Sequence, residues 1–542
     1  MTGARYLVIN TTDFWPREIE LYGTYQAGSS TAGALPKKTP VFKNLLGING
    51  FEWDFYQSGV PGISAPKMRA LQSFGVIRHY MDWEKLELTE GNYTFNPTHA
   101  GGWNYDLMYE RCKADGIEIM ACLKDLSPWM KATYPVDQQA NDNVPVRYGK
   151  DFTNPLSYIE QAKVAFQYAA RYGKNTAVNP ALVKVNTKIR WTADPANVVK
   201  IGLGLINYIE CDNERDKWWR GRKAYQTGRE YATNMSAFYD GHKNTMGAGV
   251  GVKNADPSMI VVMGGLCSVA NGTDYIRGMI DWCKEFRGYK SDGRVNLCWD
   301  VINYHLYPDN SSSMQNGSGM SARGAAPELS VAAQVARNVL KLAHEACYDM
   351  PVYMSETGYD LNQGSPLRAI AIGNKSVMST QADWNLRTAL LYGRVGIDRV
   401  DFYQTYDFSL DCATQFCSMG FINRDFSRKP TADYFYQAKN LMGNYEFKES
   451  LSTNPNVDRY ERNGQSVYAL WIPDEVGRTG QYTLNLGTAS VARVYTPQAG
   501  RDTMALQLRP MVNGQITLTL TETPQFVVAS SSAARLAADW PE

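Results

Sequence analysis

The sequence predicts an α/β protein in which a (β/α)8 TIM barrel is followed by a C-terminal β-sandwich. Two observations carry this expectation. From about residue 40 to Gly443, short apolar runs alternate with longer segments of helical period, and eight such runs occur, as parallel strands joined by crossover helices require. After Gly443 the helical segments stop, and short strands separated by turn residues take over.

The eight runs lie at 45–49, 76–80, 117–123, 201–210, 260–264, 299–305, 352–356 and 400–405. Between the third and fourth, Ile159, Ala162, Phe166 and Ala169 recur at spacings of three and four. Val331, Val335, Val339 and Leu342 do the same after Pro327, read as an early-turn proline. An open doubly wound sheet would alternate similarly. Against it, no GxGxxG follows the first run, and polar residues gather at the C-terminal ends of many runs rather than at one crossover. Beyond Gly443, the segments 466–471, 482–486 and 491–495, the alternating Ile516, Leu518 and Leu520, and 526–528 read as strands. Asn463-Gly464 and Asn513-Gly514 read as hairpin turns. The expected domains are therefore 40–443 for the barrel and 444–542 for the sandwich. Residues 1–39 are too short for a domain, and their one strand, at 6–9, is expected to add to the sandwich.

Composition narrows the function classes. The 542 residues hold 55 Lys+Arg against 54 Asp+Glu, which leaves no single-sign field to draw nucleic acid or an anionic membrane. No apolar run approaches the roughly 18 residues of a bilayer crossing, so no membrane span is expected. No charged-then-apolar leader follows Met1; a secreted or periplasmic location is expected if a leader has been removed, and a cytoplasmic one otherwise. Of nine cysteines, Cys412 and Cys417 share one loop where they could bridge, while the other seven sit in or beside apolar segments as reduced core residues. The five histidines form no HxxxH pair and lie beside no CxxC, so neither a metal nor a cofactor is expected. Thirteen Trp, 34 Tyr and 18 Phe supply rings that stack on the apolar faces of sugars as well as filling cores.

The fourth run ends in Asn207-Tyr208-Ile209-Glu210-Cys211-Asp212-Asn213-Glu214-Arg215-Asp216 and the seventh in Tyr353-Met354-Ser355-Glu356-Thr357-Gly358. Each puts a carboxylate where barrel enzymes keep their chemistry. Either acid alone reads most simply as a solvated loop residue. Together, on strands three apart in an eight-stranded barrel, they face each other across the mouth, and glycoside cleavage needs two such groups, one protonated and one ionised. Glu210 is the rival acid, but between Ile209 and Cys211 it looks more like a polar residue inside the barrel. Asp212 and Asp216 read as loop acids paired with neighbours such as Arg215 rather than as metal ligands.

These residues resemble the retaining glycoside hydrolases of clan A, in which an Asn-Glu after the fourth strand supplies the acid/base and a Glu after the seventh the nucleophile. Here they are Asn213-Glu214 and Glu356. Arg78 in Val76-Ile77-Arg78-His79-Tyr80, and His305 and Tyr307 in Asn303-Tyr304-His305-Leu306-Tyr307-Pro308, fall at the matching strand ends. The stretch Trp83-Glu84-Lys85-Leu86-Glu87, with Gly91-Asn92-Tyr93-Thr94-Phe95 after it, is similar to family 39 and family 42 barrels, and the trailing sandwich is similar to that of family 39.

The resemblance implies a double displacement on a β-type glycosidic bond of an oligo- or polysaccharide, with Glu356 as nucleophile and Glu214 as acid/base. A non-catalytic carbohydrate-binding barrel and a transglycosylase are the competing expectations. Arg78, Asn213, His305 and Tyr307 are expected to touch substrate or its carboxylates. Glu52 and Trp53 after the first strand and Trp129 after the third are further candidates for the sugar, as are Trp218 and Trp219 after the fourth. The loop 125–154 and the Gly/Ser-rich segment 309–325 are expected to shape substrate choice.

Overall fold

The computed structural model describes residues 35–311 and 322–530, so the expected strand at 6–9 lies outside the described residues. Eight parallel strands form the barrel: β1 (Gly47–Gly50), β2 (Val76–Asp82), β3 (Glu118–Lys124), β4 (Tyr208–Cys211), β5 (Ile260–Met263), β6 (Ile302–His305), β7 (Val352–Glu356) and β8 (Arg399–Phe402). They are ordered β5-β4-β3-β2-β1-β8-β7-β6, and parallel bridges at Val262–Val301 and Leu266–Tyr304 link the two ends. Each of the eight apolar runs overlaps one of these strands. The fourth run departs most from expectation, because only its last residues are extended. Gly202 and Gly204 adopt φ of 67° and 62°, and this stretch hydrogen-bonds back to the end of the preceding helix, Gly202 N to Ala170 O and Leu203 N to Arg171 O.

A helix follows every strand: Ala65–Leu71, Tyr105–Ala114, Ile159–Tyr172, Gly228–Asn244, Asp274–Trp282, Ala332–Ala346, Val377–Val395 and Pro430–Met442. Their starts are written in side chains. Ser64, Asn104 and Ser376 accept from first-turn amides, and Thr227 and Glu230 form a reciprocal capping box. The apolar spacing at Ile159–Tyr172 buries Ala162, Phe166 and Ala169 as expected. Pro327 opens a separate 3-10 turn, Pro327–Leu329, because Ser330 is extended and divides it from the helix at Ala332.

Inside the barrel the side chains lie in layers. Towards the N-terminal ends of the strands, Met120, Val262, Val301 and Tyr353 pack together. Arg399 pairs there with Glu118 and lies 4.4 and 4.8 Å from the rings of Tyr208 and Tyr353. Asp401 is fully buried on the same strand, and burial pushes its carboxyl up to about 7.

The C-terminal strands are β9 (Glu446–Thr453), β10 (Asn456–Arg462), β11 (Gln465–Trp471), β12 (Gly480–Asn485), β13 (Val491–Thr496), β14 (Ala505–Pro510), β15 (Gln515–Leu520) and β16 (Gln525–Ser530). Six form one sheet, β14-β13-β16-β11-β10-β9, and β12 pairs with β15 in a second. Ile516, Leu518 and Leu520 point inward against Val457, Leu470, Val494 and Val527 of the larger sheet, which closes the sandwich. Asn463 and Gly464, with φ of 50° and 77°, make the expected hairpin between β10 and β11. Asn513 and Gly514 also turn left-handed and make the second expected hairpin turn, with Val512 and Gln515 exchanging backbone bonds at 3.1 and 2.9 Å; beyond it the strands part, β14 to pair with β13 and β15 with β12.

The other face of the larger sheet joins the barrel's core through Tyr460, Val467, Ala469, Trp471, Tyr495 and Phe526. Within that contact Glu328 takes two hydrogen bonds from Arg387, at 3.1 and 2.6 Å, and one from the Trp471 indole at 2.5 Å. Arg387 also donates to the Asp474 carbonyl at 2.9 Å. Its guanidinium is wholly buried. Arg387→Ala strands the Glu328 carboxylate, and urea unfolding should show a loss of about 3–5 kcal/mol, the cost of breaking a buried ion pair from one side. A loss below about 1 kcal/mol would show that this joint does not hold the two sheets and the barrel together.

Candidate active site

The mouth of the barrel is organised around Arg78, on β2 and fully buried. The parallel ladder sets Arg78 level with Asn49 on β1 and Met120 on β3. Its guanidinium grips Glu210 in a fork, Nε to Oε2 at 2.6 Å and Nη2 to Oε1 at 2.8 Å. Nη1 donates to the Asn49 side-chain oxygen at 2.9 Å, to the Tyr80 hydroxyl at 2.8 Å and to Glu356 Oε1 at 2.9 Å. Nη2 also reaches Asn213 Oδ1 at 2.7 Å. Arg78 and Asn213 are thus brought together, whereas Glu210 is locked as the counter-ion. Glu210 further accepts from Gly265 N at 2.9 Å and Asn303 Nδ2 at 3.0 Å, which leaves it no room to act as an acid.

Glu356 ends β7. A register shift between Tyr304 and His305 pairs His305 with Glu356 instead of Ser355, and turns both towards the mouth. Glu356 Oε1 accepts from Arg78 and the Tyr80 hydroxyl, and Oε2 from the Tyr307 hydroxyl at 2.9 Å. Burial would raise this carboxyl, but His305, Arg78 and the two tyrosines hold it below the ordinary carboxylate value. Burial and the charge on Glu356 keep the Tyr307 hydroxyl protonated, so it remains a donor.

Glu214 lies beyond β4 on a tight turn in which Asp212 and Glu214 itself take φ of 68° and 51°. The turn is held from several sides. Asp212 accepts from Asn213 N at 2.8 Å and pairs with Arg215 at 2.6 Å; Glu214 N donates to Gly265 O at 3.1 Å; Asp216 accepts from Ser268 N at 2.6 Å. Arg215 and Arg220 reach across to the Asp142 carbonyl and carboxylate, which ties the loop after β3 to this turn. Glu214 meets His305 Nδ1 at 2.9 Å, while His305 Nε2 faces Ser355 Oγ at 3.1 Å and Glu356 Oε1 at 3.6 Å. Burial would lower the His305 pKa; Glu356 and Glu214 together raise it above the usual histidine value.

One oxygen of Glu214, one of Glu356 and one nitrogen of His305 all lie within 4.8 Å of one another. The same three groups could in principle hold a cation, but the Arg78 guanidinium and two hydroxyls already occupy the Glu356 oxygens, and a second positive charge there would be repelled.

The remaining candidates divide. Trp53 is 45% exposed and stacks on Phe51 with centroids 4.4 Å apart; Phe51 in turn stacks on Tyr80 at 5.3 Å. Glu52 points the other way: it is buried on the helical side of β2, accepting from Tyr105 at 2.6 Å and lying 3.3 Å from His79. A sugar at the mouth does not reach it, because His79 alternates with Arg78 and Tyr80 along the strand. Trp129 is half-buried, edge-on to Trp83 at 5.5 Å, covered by Arg147 at 5.3 Å and bonded through its indole to Glu87 O at 3.2 Å. Those contacts describe a packed residue rather than an open platform. Trp218 and Trp219 are exposed on the 3-10 turn Trp218–Arg220. Tyr80, Ser355, Asn49 and Gly265 belong to the site without having been singled out by the sequence.

No protein-family model matches the chain, and no curated protein does. Its fold is that of solved glycoside hydrolases. A family 39 glycoside hydrolase from Bacteroides cellulosilyticus WH2 superposes with TM-score 0.58 at 17% identity, over 92% of this chain and 83% of that one. A family 30 endoxylanase from Clostridium papyrosolvens C71 gives 0.52 at 15% identity over 91% and 98%, and a family 44 xyloglucanase from Paenibacillus polymyxa 0.51 at 10% over 92% and 97%. The clan A resemblance read in the sequence therefore holds at the level of fold, barrel and sandwich together.

Gly265 makes the His305 position available: a methyl group there would sit 1.9 Å from Nε2. Gly265→Ala should cost about 1–3 kcal/mol of stability by overpacking. Gly249→Ala, whose methyl would meet only Leu182 at 3.8 Å, should be close to neutral. Equal thermal melting of the two variants would remove the close approach as a constraint on the site.

Proposed function

We propose that the protein is a retaining glycoside hydrolase acting on a β-type linkage of an oligo- or polysaccharide, with Glu356 as nucleophile and Glu214 as acid/base. The spacing of the two carboxylates carries the reading. An oxygen of each lies within 4.8 Å of the other, in keeping with the about 5–5.5 Å that goes with retention and short of the about 6.5–9.5 Å that leaves room for an inverting water.

The two environments support two roles. Glu356 is ionised and aimed, since Arg78, Tyr80 and Tyr307 all donate to its oxygens. It attacks the anomeric carbon, and the glycosidic C–O bond breaks as Glu214 gives its proton to the departing oxygen. Glu214, now a carboxylate, takes a proton from water, whose oxygen displaces Glu356 and restores both groups. The donors that stabilise Glu356 as an anion make it a competent leaving group in this second step. Arg78 fixes the Asn213 oxygen, which turns the amide NH₂ outward, where it can donate to the hydroxyl beside the reacting carbon.

His305 joins the two carboxylates. Its Nδ1 lies 2.9 Å from Glu214 and its Nε2 3.6 Å from Glu356 Oε1, and the charges of Glu356 and Glu214 raise the His305 pKa above the usual histidine value. The acidic limb of kcat/KM, set by Glu356, should therefore move to higher pH in His305→Asn, because the His305 charge is the foremost of the influences that hold the Glu356 carboxyl down. An unmoved acidic limb would sever His305 from the ionisation of Glu356.

Role assignment is tested by substitution. Glu356→Gln should abolish turnover of every glycoside. Glu214→Ala should still form the glycosyl-enzyme from an aryl glycoside whose leaving group needs no proton, and then stall. Added azide should restore its turnover and give a glycosyl azide of retained configuration, read by nuclear magnetic resonance. If neither variant loses activity on any glycoside, the hydrolase reading fails and a binding role takes its place.

A further inference from the structure

From Glu356 a continuous wall of side chains runs outward over the ends of β1, β2 and β3. It begins at Tyr80, whose hydroxyl donates to Glu356. On one side the Tyr80 ring carries the stack of Phe51 and then Trp53, parallel to within 18° and 9°. On the other, the Lys124 ammonium lies 5.2 Å from the ring centroid. Lys124 is the last residue of β3, and the ladder sets it beside Asp82, the last residue of β2. Its ammonium bonds Asp82 at 3.0 Å and Asp125 at 2.8 Å. Lys85 also comes within 4.0 Å of Asp82, but it is engaged by Glu84 at 2.7 Å.

The side chains of Asp82, Lys124 and Asp125 keep 33%, 18% and 24% exposure at the mouth. Their chemistry suits hydroxyl groups. Two carboxylates accept from adjacent hydroxyls and a fixed ammonium donates between them, beside the Tyr80 ring whose hydroxyl reaches Glu356. The charges do not cancel. With Lys85 matched by Glu84, the trio carries one excess negative charge, and Glu356 adds another beyond Tyr80. A ligand carboxylate entering here would meet like charge in a half-desolvated cleft.

We propose that Asp82, Lys124 and Asp125, beside Tyr80, form the subsite for the sugar whose anomeric carbon meets Glu356, and that this subsite takes a neutral pyranose and rejects a uronic acid. The proposal rests on the hydrolase reading for the placement of the anomeric carbon, but its binding selectivity stands apart from turnover.

Two measurements keep the two apart. Titration calorimetry with non-hydrolysable methyl thioglycosides tests the subsite: the β-glucoside and β-xyloside should bind the wild-type enzyme at least about 100-fold more tightly than the β-glucuronide. In Asp82→Asn and Asp125→Asn that ratio should fall about 10-fold or more, because one repelling charge is gone while a hydrogen-bonding amide remains. Asparagine suits both sites, including the left-handed backbone of Asp125 at φ 58°. Thermal melting checks that the variants stay folded. Glucuronide binding as tight as glucoside binding, or a ratio unmoved in both variants, overturns the subsite. Turnover of the matching para-nitrophenyl glycosides tests the reaction separately: wild-type enzyme that binds the neutral thioglycosides selectively but cleaves none of the aryl glycosides would overturn the hydrolase reading and leave the subsite standing.

Discussion

A permanently charged guanidinium in a closed barrel is the constraint from which the site follows. Arg78 has no access to water, and an uncompensated charge in such a place costs several kcal/mol. Glu210 meets that demand with a two-point fork from β4. A guanidinium has five donors, and the fork uses two; the rest must be satisfied from the surrounding strands. Asn49, Tyr80, Asn213 and Glu356 do this, and so β1, β2, β4 and β7 are registered around one ion. The catalytic arrangement is in this sense the solution to a solvation problem in the barrel's interior.

That solution also separates two glutamates that are chemically identical in the chain. Glu356 receives three donors and sits next to a fixed cation, which selects its ionised form. Glu214 stands on a left-handed turn outside the Arg78 network, and its carboxylate meets a histidine instead. A carboxyl saturated with donors is suited to remain an anion, whereas Glu214 faces an imidazole and keeps 23% side-chain exposure at the mouth. On the reading proposed above, environment and not residue type divides acid from nucleophile.

Much of this was legible in the sequence because barrel strands are buried on both faces and read as unbroken apolar runs, so a Glu, Arg or His-x-Tyr at the end of one stands out. What escaped reading depends on partners far away in the chain. Tyr80 gains its role only because β2 and β7 meet across the barrel, and Gly265 only because His305 needs the space of its missing side chain. Glu52 was misread because the 3-10 turn Glu52–Asp54 follows β1 directly and throws its side chain back to the helices, leaving Trp53 at the mouth. Strands β9, β10 and β14 went unread: β9 and β14 are edge strands whose side chains are mostly exposed, so they have no apolar alternation to show, and β10 buries the polar Asn456 and Asp458 beside Val457 and Tyr460.

The sandwich enters the same argument through β7. The turn that carries Glu328 and the helix Ala332–Ala346 lead into that strand, and the helix Val377–Val395, which carries Arg387, follows it. Trp471 of β11 and the Asp474 carbonyl bind this pair from the sandwich side, and Arg394, about two helical turns further along, pairs with Asp458 of β10 at 2.9 Å. The elements before and after β7 are therefore anchored to the same sheet. On the reading proposed above, Glu356 must meet an anomeric carbon within a fraction of an ångström, and it gains from having its strand held at both ends. The sandwich has its own sealed core and turns its broad face to the barrel, which fits it to act as a brace for Glu356.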